Sequence, residues 1–95
     1  MMEKVSEFEM ADYLDAPKKQ QIYLDTIAEE GTNEEFLKAL ETVAKAQGMT
    51  KTAKKANISR DGLYKALSPN GNPTFETMRN ILKAIGFTIS VKPIN

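Results

Sequence analysis

The sequence contains no cysteine and no histidine. Without cysteine, the chain can form neither a disulfide bond nor a zinc site with thiolate ligands. Histidine is the commonest general base and the commonest metal ligand, so its absence argues against an enzyme and against a bound metal. Phosphate-binding glycine loops and nucleophile motifs are missing too. We therefore expect no catalytic activity and no cofactor.

Long apolar runs are missing as well. No stretch approaches the roughly 18 residues that a membrane span needs, and residues 1–4 do not resemble the start of a signal peptide. These two features predict a cytoplasmic protein that makes no membrane contact. With 95 residues, of which 41% are hydrophobic, the chain has the size of one small globular domain.

The net charge of zero hides an asymmetry between the two halves of the chain. Residues 1–42 contain 11 acidic residues and 4 lysines, a net charge of −7. Residues 43–95 contain 9 basic and 2 acidic residues, a net charge of +7. A basic half of this kind is typical of proteins that bind a polyanion. The alternative is that the two halves simply attract each other.

Apolar periodicity and capping residues predict about five helices. They lie at residues 17–30, 32–48, 50–56, 59–67 and 74–86. Thr32 and Glu35 have the spacing of a capping box, and Ser59 is a good N-cap. Residues 1–15 have no clean period and are predicted to form an arm or a short helix. The predicted core face of the last helix consists of Phe75, Met78, Ile81, Leu82 and Ile85.

After the last helix, Phe87, Ile89 and Val91 alternate with Thr88 and Ser90. This alternation predicts a short C-terminal β-strand at residues 87–91. A lone strand leaves its backbone groups unpaired. We therefore expect it to pair with its copy in a second subunit, which would form a homodimer, or with a partner protein.

The helices at 50–56 and 59–67 are separated by a turn of two residues, which is the geometry of a helix-turn-helix motif. Ala53 provides the small residue where the two helices cross. Asn57 lies at the turn, where a left-handed backbone is expected and where asparagine is the best substitute for glycine. Ile58, Leu63 and Leu67 are predicted to face the core. The outer face of the second helix then carries Arg60, Asp61, Tyr64 and Lys65.

Several stretches resemble known families. Residues 48–60 resemble the helix-turn-helix of lambda repressor and Cro-type regulators, and residues 71–77 and 82–86 resemble the next helix of that fold. Residues 59–73, with residues 8–14, resemble the HigA-like "addiction module antidote" antitoxins. Two departures are Asn57, where glycine is usual, and Thr52, where an apolar residue is common.

The resemblance implies an all-α, lambda repressor-like helix-turn-helix domain. It also implies a DNA-binding antitoxin of a type II toxin–antitoxin module that neutralises a RelE/HigB-like toxin and represses its own operon. Two alternatives remain open. One is a stand-alone prophage Cro/repressor-like transcriptional regulator, and the other is a protein-interaction module that has lost DNA binding.

In that family, the second helix of the motif lies in the major groove of a double-stranded operator. Arg60 is then placed to bind a guanine through two hydrogen bonds, and Tyr64 to contact a thymine methyl or a phosphate. Asp61 would accept from a cytosine or orient Arg60. Thr50 would offer backbone N–H groups to a phosphate. The predicted DNA-binding set is Thr50, Lys51, Ser59, Arg60, Asp61, Tyr64 and Lys65.

Gly62 lies inside the second helix of the motif, where it costs about 1 kcal/mol relative to alanine. Close helix packing and close approach to DNA both explain a glycine at this position. For the outward-facing residues around it, the alternative to DNA binding is an ordinary solvated helix face.

The chain divides into an acidic N-terminal arm and helix, residues 1–30, and a helix-turn-helix domain with a C-terminal strand, residues 31–95. Phe8, Tyr13 and Leu14 are apolar residues among acidic ones, a combination suited to docking on the basic surface of a toxin. They form the predicted partner-binding set. Alternatively, they pack onto the protein's own helices.

Overall fold

The computed structural model describes residues 13–94, and over this range it is all-helical. The helices are α1 (Pro17–Glu30), α2 (Asn33–Gln47), α3 (Met49–Lys55), α4 (Arg60–Leu67) and α5 (Phe75–Ala84). The predicted all-α class and the predicted helices are therefore confirmed for this part of the chain. The first twelve residues of the predicted arm lie outside it. No helix in the described range is long and apolar enough to cross a membrane.

Side-chain caps determine where three of the helices begin. Thr32 Oγ1 accepts from the Glu35 N–H at 3.1 Å, and Glu35 Oε1 accepts from the Thr32 N–H at 2.8 Å, so the predicted capping box is present. Ser59 and Thr74 each accept from the backbone N–H three residues later. These bonds satisfy N–H groups that have no partner inside the helix.

The core lies between α2 and the three shorter helices. α2 contacts α1, α3 and α4, and α3 contacts α2, α4 and α5. The largest fully buried apolar side chains are Leu14, Leu40, Val43, Leu63, Leu67 and Ile81. Most of these come from the apolar faces that the periodicity predicts. Burying each one contributes about 1.5–3 kcal/mol.

Two glutamines, one buried and one half-buried, connect three helices through side-chain hydrogen bonds. Gln20, which is 6% exposed, donates to the carbonyl of Leu14 at 3.0 Å. Gln47 donates to Gln20 Oε1 and to the carbonyl of Ile85, both at 2.8 Å. The network joins the start of α1, the end of α2 and the end of α5. No buried side-chain polar atom in the described range lacks a partner.

The predicted C-terminal strand is wrong for the chain as described. Residues 87–94 contain no strand, and the segment is anchored by the Phe87 N–H, which donates to the carbonyl of Leu82 at 2.8 Å. A strand needs a neighbouring strand to pair with, and the described residues contain none. Ile89 and Val91 are exposed, at 41% and 92%.

The segment is held against α1 by an ion pair instead. Lys92 donates to Glu29 and lies 3.9 Å from Asp25. The hydrogen bond to Glu29 and the negative charge of Asp25 raise the pKa of Lys92 above its ordinary value. Both carboxylates favour the charged form of Lys92, and because all three side chains are more than half exposed the pair adds little to stability.

Phe75 is also misplaced by the sequence prediction. It was expected in the core face of the last helix, but it is 68% exposed, with Arg79 over its ring at 6.0 Å. As the first residue of α5, it lies at the edge of a surface groove rather than between helices. The rest of that face is buried or half-buried as predicted, namely Met78, Ile81, Leu82 and Ile85.

Candidate nucleic-acid interface

A tight turn joins α3 and α4, and backbone hydrogen bonds fix its shape. The N–H of Asn57 donates to the carbonyl of Lys54 at 3.1 Å, and that of Ile58 donates to the carbonyl of Ala53 at 3.0 Å. Asn57 has a φ of 62°, so the predicted left-handed backbone is confirmed. Ala53 is 3% exposed. The turn and this small side chain hold α4 in a defined position against α3.

The start of α3 accommodates the polar Thr52 at a core position. Gly48 separates α2 from α3 with a φ of 115°, a conformation that favours glycine. Thr52 is 1% exposed, and its hydroxyl donates to the Gly48 carbonyl at 2.8 Å. Because the hydroxyl is satisfied within its own helix, threonine is tolerated where an apolar residue is common.

Gly62 lies beside the cap of α4. The Ser59 hydroxyl accepts from the Gly62 N–H at 2.9 Å. A Cβ added at Gly62 would come 3.0 Å from that hydroxyl, and no atom of a neighbouring helix would lie within 4 Å. Close helix packing therefore does not explain this glycine. The outer side of the position is open, and its one close neighbour is the capping hydroxyl of Ser59.

The predicted DNA-binding set lies on the surface formed by α4 and the start of α3. Six of its seven members are exposed, and Tyr64 is half-buried. Arg60 contacts two other members of the set. Its Nη1 donates to Thr50 Oγ1 at 3.2 Å, and its guanidinium lies 5.7 Å from the ring centre of Tyr64. Lys51 is exposed in the first turn of α3. The structure thus brings residues of both helices together on one face.

Asp61 and Lys65 form an ion pair one helical turn apart. The distance from Lys65 Nζ to Asp61 Oδ2 is 3.4 Å, and the side chains are 79% and 80% exposed. Such an exposed pair contributes little to stability and breaks readily. Within residues 13–94, Asp61 makes no hydrogen bond or ion pair with Arg60, in contrast to one of the two roles predicted for it.

Most of the basic side chains of the C-terminal half make no ion pair with an acidic residue in the described part of the chain. Within residues 13–94, six of the nine basic side chains after residue 42 make no ion pair. These six are Lys51, Lys54, Lys55, Arg60, Arg79 and Lys83. Attraction between the two halves of the chain accounts for Lys92 but not for these residues. Their charge remains available to a polyanion.

Gly71 is a structural requirement of this surface that sequence reasoning did not identify. A Cβ at this position would lie 2.4 Å from the Ala66 carbonyl oxygen and 2.7 Å from that of Lys65. The loop after α4 therefore crosses directly over the last turn of that helix, and only glycine fits without movement. The signal in the sequence that could have identified it is the Asn70-Gly71 pair, which is typical of a turn.

The structure separates the three residues of the predicted partner-binding set. Leu14 is fully buried in the protein's own core, which is the alternative that the sequence left open. Tyr13 is 59% exposed, with Lys19 Nζ 5.0 Å from its ring centre. Phe8 lies outside the described residues. Leu14 therefore serves the fold, while Tyr13 is accessible to a partner.

An apolar groove lies between α1, α5 and residues 87–92, and we call it the C-terminal groove. It has a volume of about 620 Å³. Its apolar lining consists of Leu24, Ala28, Phe36, Phe75, Met78, Leu82, Phe87 and Ile89. Phe75 and Ile89 are exposed at its edges. Two members of the predicted dimer strand, Phe87 and Ile89, thus line one wall of the groove.

The described residues define a small all-helical protein with an acidic side on α1 and α2 and a basic surface on α3 to α5. The chain belongs to the family described as "Probable addiction module antidote protein", whose model matches residues 4–93. It is 41% identical over 92 residues to a Haemophilus influenzae (strain Rd) protein described as "Uncharacterized protein", covering 97% of this chain and 95% of that protein. No solved structure matches the chain. Membership of an antidote family implies a toxin partner.

Proposed function

We propose that this protein is a sequence-specific DNA-binding antitoxin of a type II toxin–antitoxin module. In this proposal it neutralises a RelE/HigB-like toxin in the cytoplasm and represses its own operon. The observation that best supports DNA binding is the environment of Arg60. This residue is exposed at the first position of α4 and has no acidic partner within residues 13–94.

The proposed interface uses α3 and α4 as a helix-turn-helix of the lambda repressor type. The N-terminal end of α4 enters the major groove, where Arg60 forms two hydrogen bonds to a guanine. Lys51 contacts the phosphate backbone from the first turn of α3. Lys65 reaches a base or phosphate once its weak pairing with Asp61 is given up. Phosphate contacts supply affinity, and the base contact supplies selectivity.

The test compares binding to the upstream promoter fragment with binding to a scrambled fragment across a salt series. Arg60→Ala is expected to reduce the preference for the promoter by about 1–3 kcal/mol, the discrimination of one two-bond contact. Arg79→Ala is the matched control, because it removes the same charge from α5 and is expected to weaken binding to both fragments equally. Equal wild-type binding to both fragments would contradict the proposal.

The toxin is proposed to bind the acidic side of the protein. Exposed acids on α1 and α2 include Asp25, Glu29, Glu30, Glu34 and Glu35. Tyr13 adds an exposed ring near the start of α1. A basic ribonuclease of the RelE/HigB type is complementary to this surface. Its acids lie on helices other than the proposed DNA-binding pair, so both partners can bind at once.

Co-expression with the toxin encoded beside this gene tests the acidic surface. Glu30→Lys with Glu34→Lys is expected to weaken the rescue of growth, because it reverses the charge that attracts a basic toxin. Asp61→Lys is the control on the opposite surface and is expected to preserve rescue. Full rescue of growth by the double variant would show that the toxin binds a different surface of the protein.

A homodimer is proposed to form through the C-terminal groove and residues 87–91. The same chain carries an apolar groove and uncovered apolar side chains beside it, so two copies can cover both. Light scattering at tens of micromolar tests this, with Ile89→Asp expected to give monomers. Ile22→Asp is the control, because Ile22 is 56% exposed on α1 but does not line the groove. A monomeric wild-type protein would refute the dimer.

A further inference from the structure

Arg60 is held in place before any ligand binds. Its Nη1 donates to Thr50 Oγ1 at 3.2 Å, and its guanidinium lies 5.7 Å from the ring centre of Tyr64. These two contacts come from different helices, ten residues before and four residues after Arg60. An exposed arginine is otherwise free to sample many rotamers. Here, one nitrogen and one face of the guanidinium are already engaged.

The two supports are themselves anchored. Tyr64 is half-buried and its ring packs against the core cluster. Thr50 is the second residue of α3, between the buried Met49 and the rest of a helix whose Thr52 lies in the core. The Ser59 cap fixes the backbone immediately before Arg60. The arginine therefore rests on parts of the structure that cannot move independently.

The opposite edge of the guanidinium remains available. No hydrogen bond is made by Nε or Nη2 of Arg60 within residues 13–94, and the neighbouring acid Asp61 pairs with Lys65 instead. Two adjacent N–H donors in a fixed plane match the paired acceptors on the major-groove edge of guanine. The supports and the free edge thus lie on different sides of the same group.

We infer that Thr50 and Tyr64 are positioning residues that hold Arg60 ready to read one base, rather than residues that contact the operator themselves. This rests on the proposed function. In this inference the Tyr64 ring, not its hydroxyl, acts by holding the guanidinium of Arg60. It also gives Thr50 a role through its hydroxyl, which accepts from Arg60, rather than through its backbone N–H. Fixing one long side chain before binding is worth about 2- to 10-fold in affinity.

The free protein provides the first readout. The sequence contains two arginines, so the Nε–H groups give two NMR signals, and Arg79→Lys assigns them. Arg60 is expected to show restricted motion in the wild type and in Tyr64→Phe, which keeps the ring. Tyr64→Leu and Thr50→Val are expected to release it, whereas Thr50→Ser retains the acceptor and the restricted motion. An Arg60 Nε–H that is equally mobile in wild type and Tyr64→Leu would overturn the inference.

The second readout is promoter binding by Tyr64→Leu in the wild-type and Arg60→Ala backgrounds, with thermal melts to establish that each variant is folded. The expected result is a 2- to 10-fold loss in the wild-type background and no further loss once Arg60 is absent. Equal losses in both backgrounds would show that Tyr64 contacts DNA directly, and would overturn the positioning role while leaving DNA binding intact. Wild-type protein without promoter preference would instead refute the proposed function, and the NMR result would still decide whether Arg60 is held.

Discussion

Gly71 offers the sharpest test of how the loop after α4 packs on that helix. Any larger residue at this position would clash with backbone atoms rather than with a flexible side chain. In Gly71→Ala, the new Cβ would lie 2.4 Å from the Ala66 carbonyl oxygen, whereas ordinary contact begins at 3.4 Å. The loop must therefore move by about 1 Å or α4 must lose its last turn. Overpacking of this kind costs about 2–3 kcal/mol. For a domain of this size, that predicts a fall in Tm of about 10–20 °C.

Gly62→Ala is the matched comparison within the same surface. Its methyl group meets only the Ser59 hydroxyl, at 3.0 Å. Loss of the cap would destabilise the protein by up to about 1 kcal/mol. Replacing glycine by alanine inside a helix stabilises it by about 1 kcal/mol. The net change in stability is therefore expected to be close to zero. Thermal unfolding followed by circular dichroism measures both variants. Equal Tm values for Gly71→Ala and Gly62→Ala would refute the close approach of the loop to α4.

Three further predictions follow from the described contacts. Asn57→Ala is expected to lose about 1 kcal/mol in urea unfolding and Asn57→Gly to lose none, because only the former strains a left-handed residue; equal losses would contradict this. Gln47→Leu is expected to cost about 1–3 kcal/mol by leaving Gln20 Oε1 and the Ile85 carbonyl without their donor, and an unchanged urea midpoint would argue against the network. Because Glu29 and Asp25 raise the pKa of Lys92, its contribution is complete below the ordinary lysine pKa and is lost only as pH rises through the raised value. The Cα chemical shifts of residues 89–92 should therefore stay constant from pH 6 to 9, whereas a change within that window would oppose the pairing.

Local chemistry accounts for the features that the sequence predicted correctly. The capping box of Thr32 and Glu35, the Ser59 cap and the left-handed Asn57 each depend on residues within three or four positions. Such interactions can be read from spacing alone. The same holds for the outward face of α4, because a helix of known start distributes its side chains in a fixed order.

Long-range contacts account for what the sequence did not predict. Gln47 finds its partners 27 and 38 residues away, and spacing gives no indication of either. The alternation at 87–91 predicts a strand, although a strand also needs a neighbouring strand, which residues 13–94 do not supply. Within the candidate site, the contact of Arg60 with Thr50 crosses between two helices. The contact depends on the relative position of α3 and α4, which the turn at Asn57 determines.

The glutamine network also bears on whether the chain can be divided at residue 31. A chain beginning there would keep α2 to α5, yet Gln47 would lose its bond to Gln20 while its bond to Ile85 remained. The side of α2 that now faces α1 would meet water as well. The acidic and basic sides are thus joined by the Gln47 amide as well as by the packing of α2 on α3 and α4, and they are expected to open together in native-state hydrogen exchange. We therefore expect the two oppositely charged surfaces to unfold as a single cooperative unit.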